Sequence, residues 1–142
     1  DTDEKDVITI MQDRDLMVGT DGAIGDPDDL VHPRTFGAFP RALGLYARDK
    51  GVMPMEEMIR KMTSRTAEVF SLNTKGRIAD GMDADLVILN PETVRDTADF
   101  DCPTRLADGI EQVVVAGKVV YQNHKLTGEN PGKVVLAGRS SI

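Results

Sequence analysis

Hydrophobic positions change their spacing twice along this chain, and each change marks a different kind of element. Val7, Ile10 and Met11 recur at helical spacing behind Asp3, Glu4 and Asp6, acidic residues that suit the positive end of a helix dipole, so a helix is expected over about 3–12. Leu16-Met17-Val18 then reads as a short apolar strand stopped by Gly19. From 22 to 40, Gly25, Pro27, Pro33, Gly37 and Pro40 accompany Asp26, Asp28 and Asp29, a composition that opposes regular structure and predicts a long loop of functional character.

Helical spacing returns after that loop. Ala42, Leu43, Leu45, Tyr46 and Ala47 predict a helix between Arg41 and Lys50 that Gly51 ends. A second is expected from Pro54, with Glu56 and Glu57 at its positive end, Arg60 and Lys61 at its negative end, and Met55, Met58, Ile59 and Met62 at i, i+3, i+4 and i+7 as a core face. Thr63 or Ser64 can cap a short third helix through Ala67, Val69 and Phe70.

The texture switches near 73–81. Ala84 to Leu89 is an aliphatic strand stopped by Asn90-Pro91. Gln112 to Val115 and Lys118 to Gln122 flank Ala116-Gly117 and predict a β-hairpin, and Lys133 to Leu136 predicts a last strand. The fold class is therefore α/β plus β, with an α/β part at 1–76 and a β part at 77–142. One helix-then-strand unit cannot stand alone, because a parallel strand needs hydrogen-bonding neighbours and helices over its faces.

Composition narrows the functions. With 24 acidic against 17 basic residues the formal charge is −7, which disfavours nucleic acid and anionic lipid surfaces as partners. The longest apolar runs, such as Leu86 to Leu89, fall far short of the roughly 20 residues of a bilayer span, so no membrane partner is expected. A single cysteine, Cys102, allows no intrachain disulfide and fits a reducing, cytoplasmic setting. The first residue is Asp and the opening has no basic or apolar region, so it reads as the start of a piece cut from a longer chain rather than as a signal peptide.

The candidate chemistry sits at the end of the first strand. Gly19-Thr20-Asp21-Gly22 would deliver one carboxylate, Asp21, where barrel enzymes hold reacting groups: at the junction between a strand that fixes them and a loop that opens a mouth. Taken alone, the same residues also describe a turn whose Asp bonds backbone amides. Arg34 offers a planar two-donor fork for a carboxylate, His32 could shape its loop or touch a substrate, and Arg41 is expected to anchor the loop on an Asp or on helix carbonyls.

The ordered set Gly19-Thr20-Asp21-Gly22, His32-Pro33-Arg34, Gly37-x-Phe39-Pro40-Arg41-x-Leu43-Gly44, the Met-rich helix, Gly81-x-x-Ala84-Asp85-Leu86-Val87 and the Val115-Ala116-Gly117 hairpin resembles the C-terminal portion of the D-aminoacylase (N-acyl-D-amino-acid deacylase) family of the amidohydrolase superfamily, over about residues 3–125. Thr20 stands where serine is commoner in such proteins.

The resemblance implies a parent hydrolase built on a metal-dependent TIM barrel with a small β sandwich made by both chain ends. This chain would supply the last barrel strand, the helices after it and the C-terminal part of the sandwich. Asp21 would be the catalytic residue, with a weak or bridging contact to the metal. It would take the proton of the metal-bound water and return one to the departing amine. Arg34, and His32 beside it, would bind the N-acyl-D-amino acid. Zinc belongs to the complete enzyme. The family's earlier ligands, a cysteine and histidines, are not matched here, since His32 and His124 lie in no ligand-like cluster and Cys102 lies between β elements. The chain alone is therefore expected to bind no catalytic zinc tightly and to be inactive, with the rest of the barrel as its partner. Two other readings compete: a cyclic amidohydrolase of the hydantoinase or dihydroorotase type, and a non-catalytic module that associates with itself through exposed strand edges.

Overall fold

The computed structural model describes residues 3–23 and 31–136. The chain forms two compact units that interleave in sequence, 1–62 with 91–109 and 63–90 with 110–142, whereas the change of texture suggested a single cut near 73–81. None of the described helices is long and apolar enough to cross a membrane.

Among the described residues, the first unit holds three α-helices and a π-helix. Helix α1, Glu4–Gln12, begins where expected: Asp3 accepts the Lys5 N–H at 3.0 Å and so satisfies one orphan donor of the first turn. Helix α2, Arg34–Arg41, corrects the expectation of a loop to residue 40. Pro33 sits at its N-terminal boundary, where a missing N–H is harmless, but Gly37 and Pro40 lie inside it, and both weaken a helix. The middle of the acidic loop, residues 24–30 with Asp26, Asp28 and Asp29, lies outside the described residues.

The chain runs on from α2 into a π-helix, Ala42–Asp49, where an α-helix was expected. Its wider winding ends with the Lys50 N–H donating to the Leu45 carbonyl, five residues back, at 2.9 Å. Gly44 shows what this segment packs on: a Cβ there would lie 2.3 Å from the Val94 carbonyl oxygen. Val94 itself is fully buried, and Arg48 Nη1 donates to its carbonyl at 2.7 Å.

Helix α3, Met55–Met62, follows the predicted stripe in part. Met58 is completely buried, yet Ile59 is 38 % exposed and Lys61 is 1 % exposed. The Lys61 ammonium is compatible with that position because it donates to the Asp13 carbonyl.

The expected strand at Leu16–Val18 does not form. The Val18 N–H donates to the Lys61 carbonyl at 3.4 Å, but this unit offers the segment no ladder among the described residues. That is the cost anticipated for a parallel strand without neighbours.

The second unit contains helix α4, Ser64–Val69, and one antiparallel sheet in the order β1-β2-β3-β4: Leu86–Leu89, Ile110–Val115, Lys118–Gln122 and Lys125–Leu126. Leu86 pairs with Val114 and Val113 with Tyr121, with bulges at Ile88/Leu89 and Val113/Val114. Ala116 and Gly117 make the predicted two-residue hairpin with φ of +48° and +77°, the conformation that matches strand twist. A second tight turn, Asn123 and His124 at φ +52° and +58°, starts β4. This replaces the expected last strand: Lys133 to Leu136 form none, and Val134 is 78 % exposed. Two-residue β4 offers them too short an edge to join.

Asp85 locks the sheet to its first turn. Its carboxylate accepts the Ala116 N–H at 2.7 Å and a bond from Lys75, while the Gly117 N–H donates to Ala84 at 3.0 Å. The Ala116 bond, and then Lys75, hold the Asp85 carboxyl below its ordinary pKa against an opposing desolvation.

Candidate functional site

Two sequence-local devices bring the predicted residues together in the first unit. One is a close approach of backbones: Gly22 faces the start of α2 so tightly that a Cβ would lie 2.8 Å from Thr35 Cα. The Thr35 hydroxyl meets the Ala23 carbonyl at 3.4 Å, and the Gly22 N–H donates to the Thr20 hydroxyl at 3.2 Å. This seam places Asp21, itself at φ +46°, beside the first residue of α2. Arg34 Nη2 then lies 2.9 Å from Asp21 Oδ2.

The second device is His32. Its Nδ1 accepts the Arg34 N–H at 3.1 Å, so the imidazole satisfies a donor at the start of α2, and its carbonyl accepts the Thr35 N–H at 3.0 Å. Of the two roles open to His32, loop shaping is the one this geometry displays. One ring edge also meets Phe100, with centroids 5.2 Å apart and planes at 78°.

Beside them a cleft of about 290 Å³ is lined by His32, Pro33, Arg34, Gly37, Arg41, Asp96, Ala98, Asp99 and Phe100. Asp21 is not among the lining residues, and its side chain is 85 % exposed; it meets the cleft through Arg34. Arg41 anchors as expected on an aspartate: Nη1 donates to Asp96 Oδ2 at 2.9 Å. Desolvation opposes the Arg41 charge, but Asp96, with smaller help from Tyr46, more than offsets it, and the guanidinium pKa is raised. Asp99 is held below its ordinary range, first by the Cys102 N–H and further by Arg105. Both shifts favour the charged forms of these two lining residues.

Sequence reading missed Asp96, Asp99 and Phe100. They lie more than fifty residues beyond α2 and carry no motif, and only the return of 91–109 to the first unit exposes their place. The one available signal was Arg41, whose expected carboxylate partner had no assigned position.

Zinc, implied by the resemblance, needs three or four converging N, S or O donors. Among the described residues no three His, Cys, Asp or Glu side chains form such a group, and the Asp21 carboxylate faces a guanidinium. The described residues do not by themselves make a zinc site.

Comparison with known proteins agrees with this arrangement of motifs. The sequence profile of the amidohydrolase family matches residues 6–121. A D-aminoacylase of Alcaligenes xylosoxydans xylosoxydans is 45% identical over 133 residues, 94% of this chain and 27% of the relative. An N-acyl-D-glutamate deacylase of the same organism is 39% identical over 133 residues, again 94% and 27%. Among solved structures, a D-aminoacylase superposes with a TM-score of 0.85 at 43% identity, covering 90% of this chain and 27% of that one. The N-acyl-D-glutamate deacylase of Bordetella bronchiseptica, solved with zinc and a phosphonate mimic of the tetrahedral intermediate, gives 0.79 at 34% identity, covering 99% and 27%. The chain spans about 27% of the length of these relatives. With the profile running from α1 to β3 and the likeness held in both sequence and backbone, the chain belongs to the amidohydrolase family, and within it is similar to the D-aminoacylases and N-acyl-D-amino-acid deacylases.

Proposed function

We propose that this chain is the C-terminal part of a longer cytoplasmic, zinc-dependent amidohydrolase that cleaves the linear amide of an N-acyl-D-amino acid, releasing a carboxylate and a free D-amino acid. Residues 1–76 would complete its TIM barrel and 77–142 its small β sandwich. The observation that carries the reading is the 45% identity to a D-aminoacylase along 94% of the chain, which includes the whole stretch from Asp21 to Arg34.

Zinc, held by residues outside this chain, would supply Lewis-acid chemistry to the reaction. What this chain contributes is proton handling and orientation. Asp21 would accept a proton from the attacking water and return it to the amide nitrogen as the C–N bond breaks, so that the amine leaves neutral. Arg34 would hold the substrate carboxylate in a two-donor fork; its ion pair with Asp21 at this edge of the cleft supports the reading. His32 would support Arg34 through the backbone bond described above, a role that includes substrate contact only at its ring edge. The apolar side chains exposed in the second unit, Ile78 at 90 % and Val87 at 55 %, would be covered by the remainder of the longer chain.

Hydrolysis assays of the longer protein with an N-acyl-D-amino acid, its L enantiomer and a hydantoin test the reading. Preference for the D-acyl compound is expected. Turnover of the hydantoin with none of the D-acyl compound would replace it with the cyclic-amide reading.

A further inference from the structure

Helix α2 has little reason to hold its position unaided. Eight residues are too few for a stable isolated helix, and Gly37 and Pro40 weaken this one further. Its position must come from what it packs on. Residues 37, 41 and 44 share one face at i, i+4 and i+7, and all three meet the same later stretch of chain. A Cβ on Gly37 would lie 3.1 Å from Asp96 Cβ and 3.8 Å from Ala98 Cβ; Arg41 donates to Asp96 at 2.9 Å; Gly44 lies against Val94. Residues 94–98 are therefore a strap over α2 and the start of the π-helix. Asp96 is its charged contact, with a side chain 18 % exposed against 85 % for Asp21, so water screens its ion pair less.

We propose that Asp96 is a positioning residue: gripping Arg41 and abutting Gly37, it sets the pose of α2 and hence the point at which the Arg34 guanidinium, at the head of that helix, meets the substrate carboxylate. The inference rests on the role proposed for Arg34. It assigns Asp96 no contact with the reacting atoms, so its loss should weaken substrate capture more than turnover.

Steady-state kinetics of the longer protein with an N-acyl-D-amino acid test this in a double-mutant cycle. Asp96→Asn, nearly isosteric, should raise KM about tenfold with kcat changed less than about threefold, and should add no further rise in an Arg34→Ala background. The charge-reversed pair, Arg41→Asp with Asp96→Arg, should recover KM relative to either single change, which also covers the case of an Asp96→Asn protein that folds poorly. An Arg34→Ala effect on KM with none from Asp96→Asn would overturn the inference, as would an equal Asp96→Asn effect with and without Arg34, or no recovery in the reversed pair. Unchanged KM in Arg34→Ala would instead overturn the reading of Arg34 from which the inference starts.

Discussion

Arg34 Nη2 and Asp21 Oδ2 stand 2.9 Å apart, with side chains 47 % and 85 % exposed. Charges that open to water gain little from pairing, so the contact contributes to placement rather than to stability. Asp21→Asn and Arg34→Met should each change the unfolding free energy by less than about 1 kcal/mol, and their coupling in a double-mutant cycle should stay near zero. Urea denaturation of the four proteins measures both; a coupling above about 2 kcal/mol would make the pair structural.

Gly44 tells the opposite story. A methyl group there would sit 2.3 Å from the Val94 carbonyl oxygen, a backbone atom that cannot swing aside. Gly44→Ala should destabilise the chain by about 2 kcal/mol or more, through overpacking, and calorimetry should show it as a clear fall in melting temperature.

Ala116 occupies a left-handed conformation, φ +48°, that disfavours a β carbon. Ala116→Gly removes that strain while keeping the N–H bonded to Asp85, although it also loosens the unfolded chain. Ala116→Asn, which tolerates the same backbone without that entropy cost, should stabilise by about 0.5–1 kcal/mol by chemical denaturation.

The Asp85 carboxyl yields a pH dependence with a definite sign. Its folded pKa lies below its unfolded value, held there first by the Ala116 N–H and then by Lys75, so its contribution is complete above the unfolded value near 3.8 and is lost as pH falls through the folded value. With the Asp85 side chain 35 % exposed and its charge partly screened by water, Asp85→Asn should cost less than about 1 kcal/mol at pH 7, and the gap from the wild type should close below about pH 4. Melting temperatures of both proteins across pH 2–7 give the comparison; a gap that widens in acid would contradict the assignment.

Local patterns made much of this chain legible. Val7, Ile10 and Met11 behind Asp3, Glu4 and Asp6 announced α1, the i, i+3, i+4 stripe announced α3, and Ala116-Gly117 announced the central hairpin, because each depends on residues a few positions apart. Helix α2 was hidden by its own Gly37 and Pro40, since the strap that stabilises it comes from residues 94–98. Leu16–Val18 carried a strand's composition but finds no ladder among the described residues, and Lys133–Leu136 likewise forms no strand. Around the candidate site, the motifs drew attention to Asp21, His32 and Arg34, which the fold brings close together. Asp96 and Phe100 were not legible, because their relation to α2 exists only once the chain has folded back.

The central claim is that Asp21 carries the proton in amide hydrolysis by the longer protein. The most direct test is kcat of its Asp21→Asn variant on an N-acyl-D-amino acid, with the fold checked by circular dichroism and the bound metal by elemental analysis. A fall of about 100- to 10,000-fold, in a folded protein that retains its metal, is the result this account predicts. Turnover within a few-fold of the wild type would contradict it.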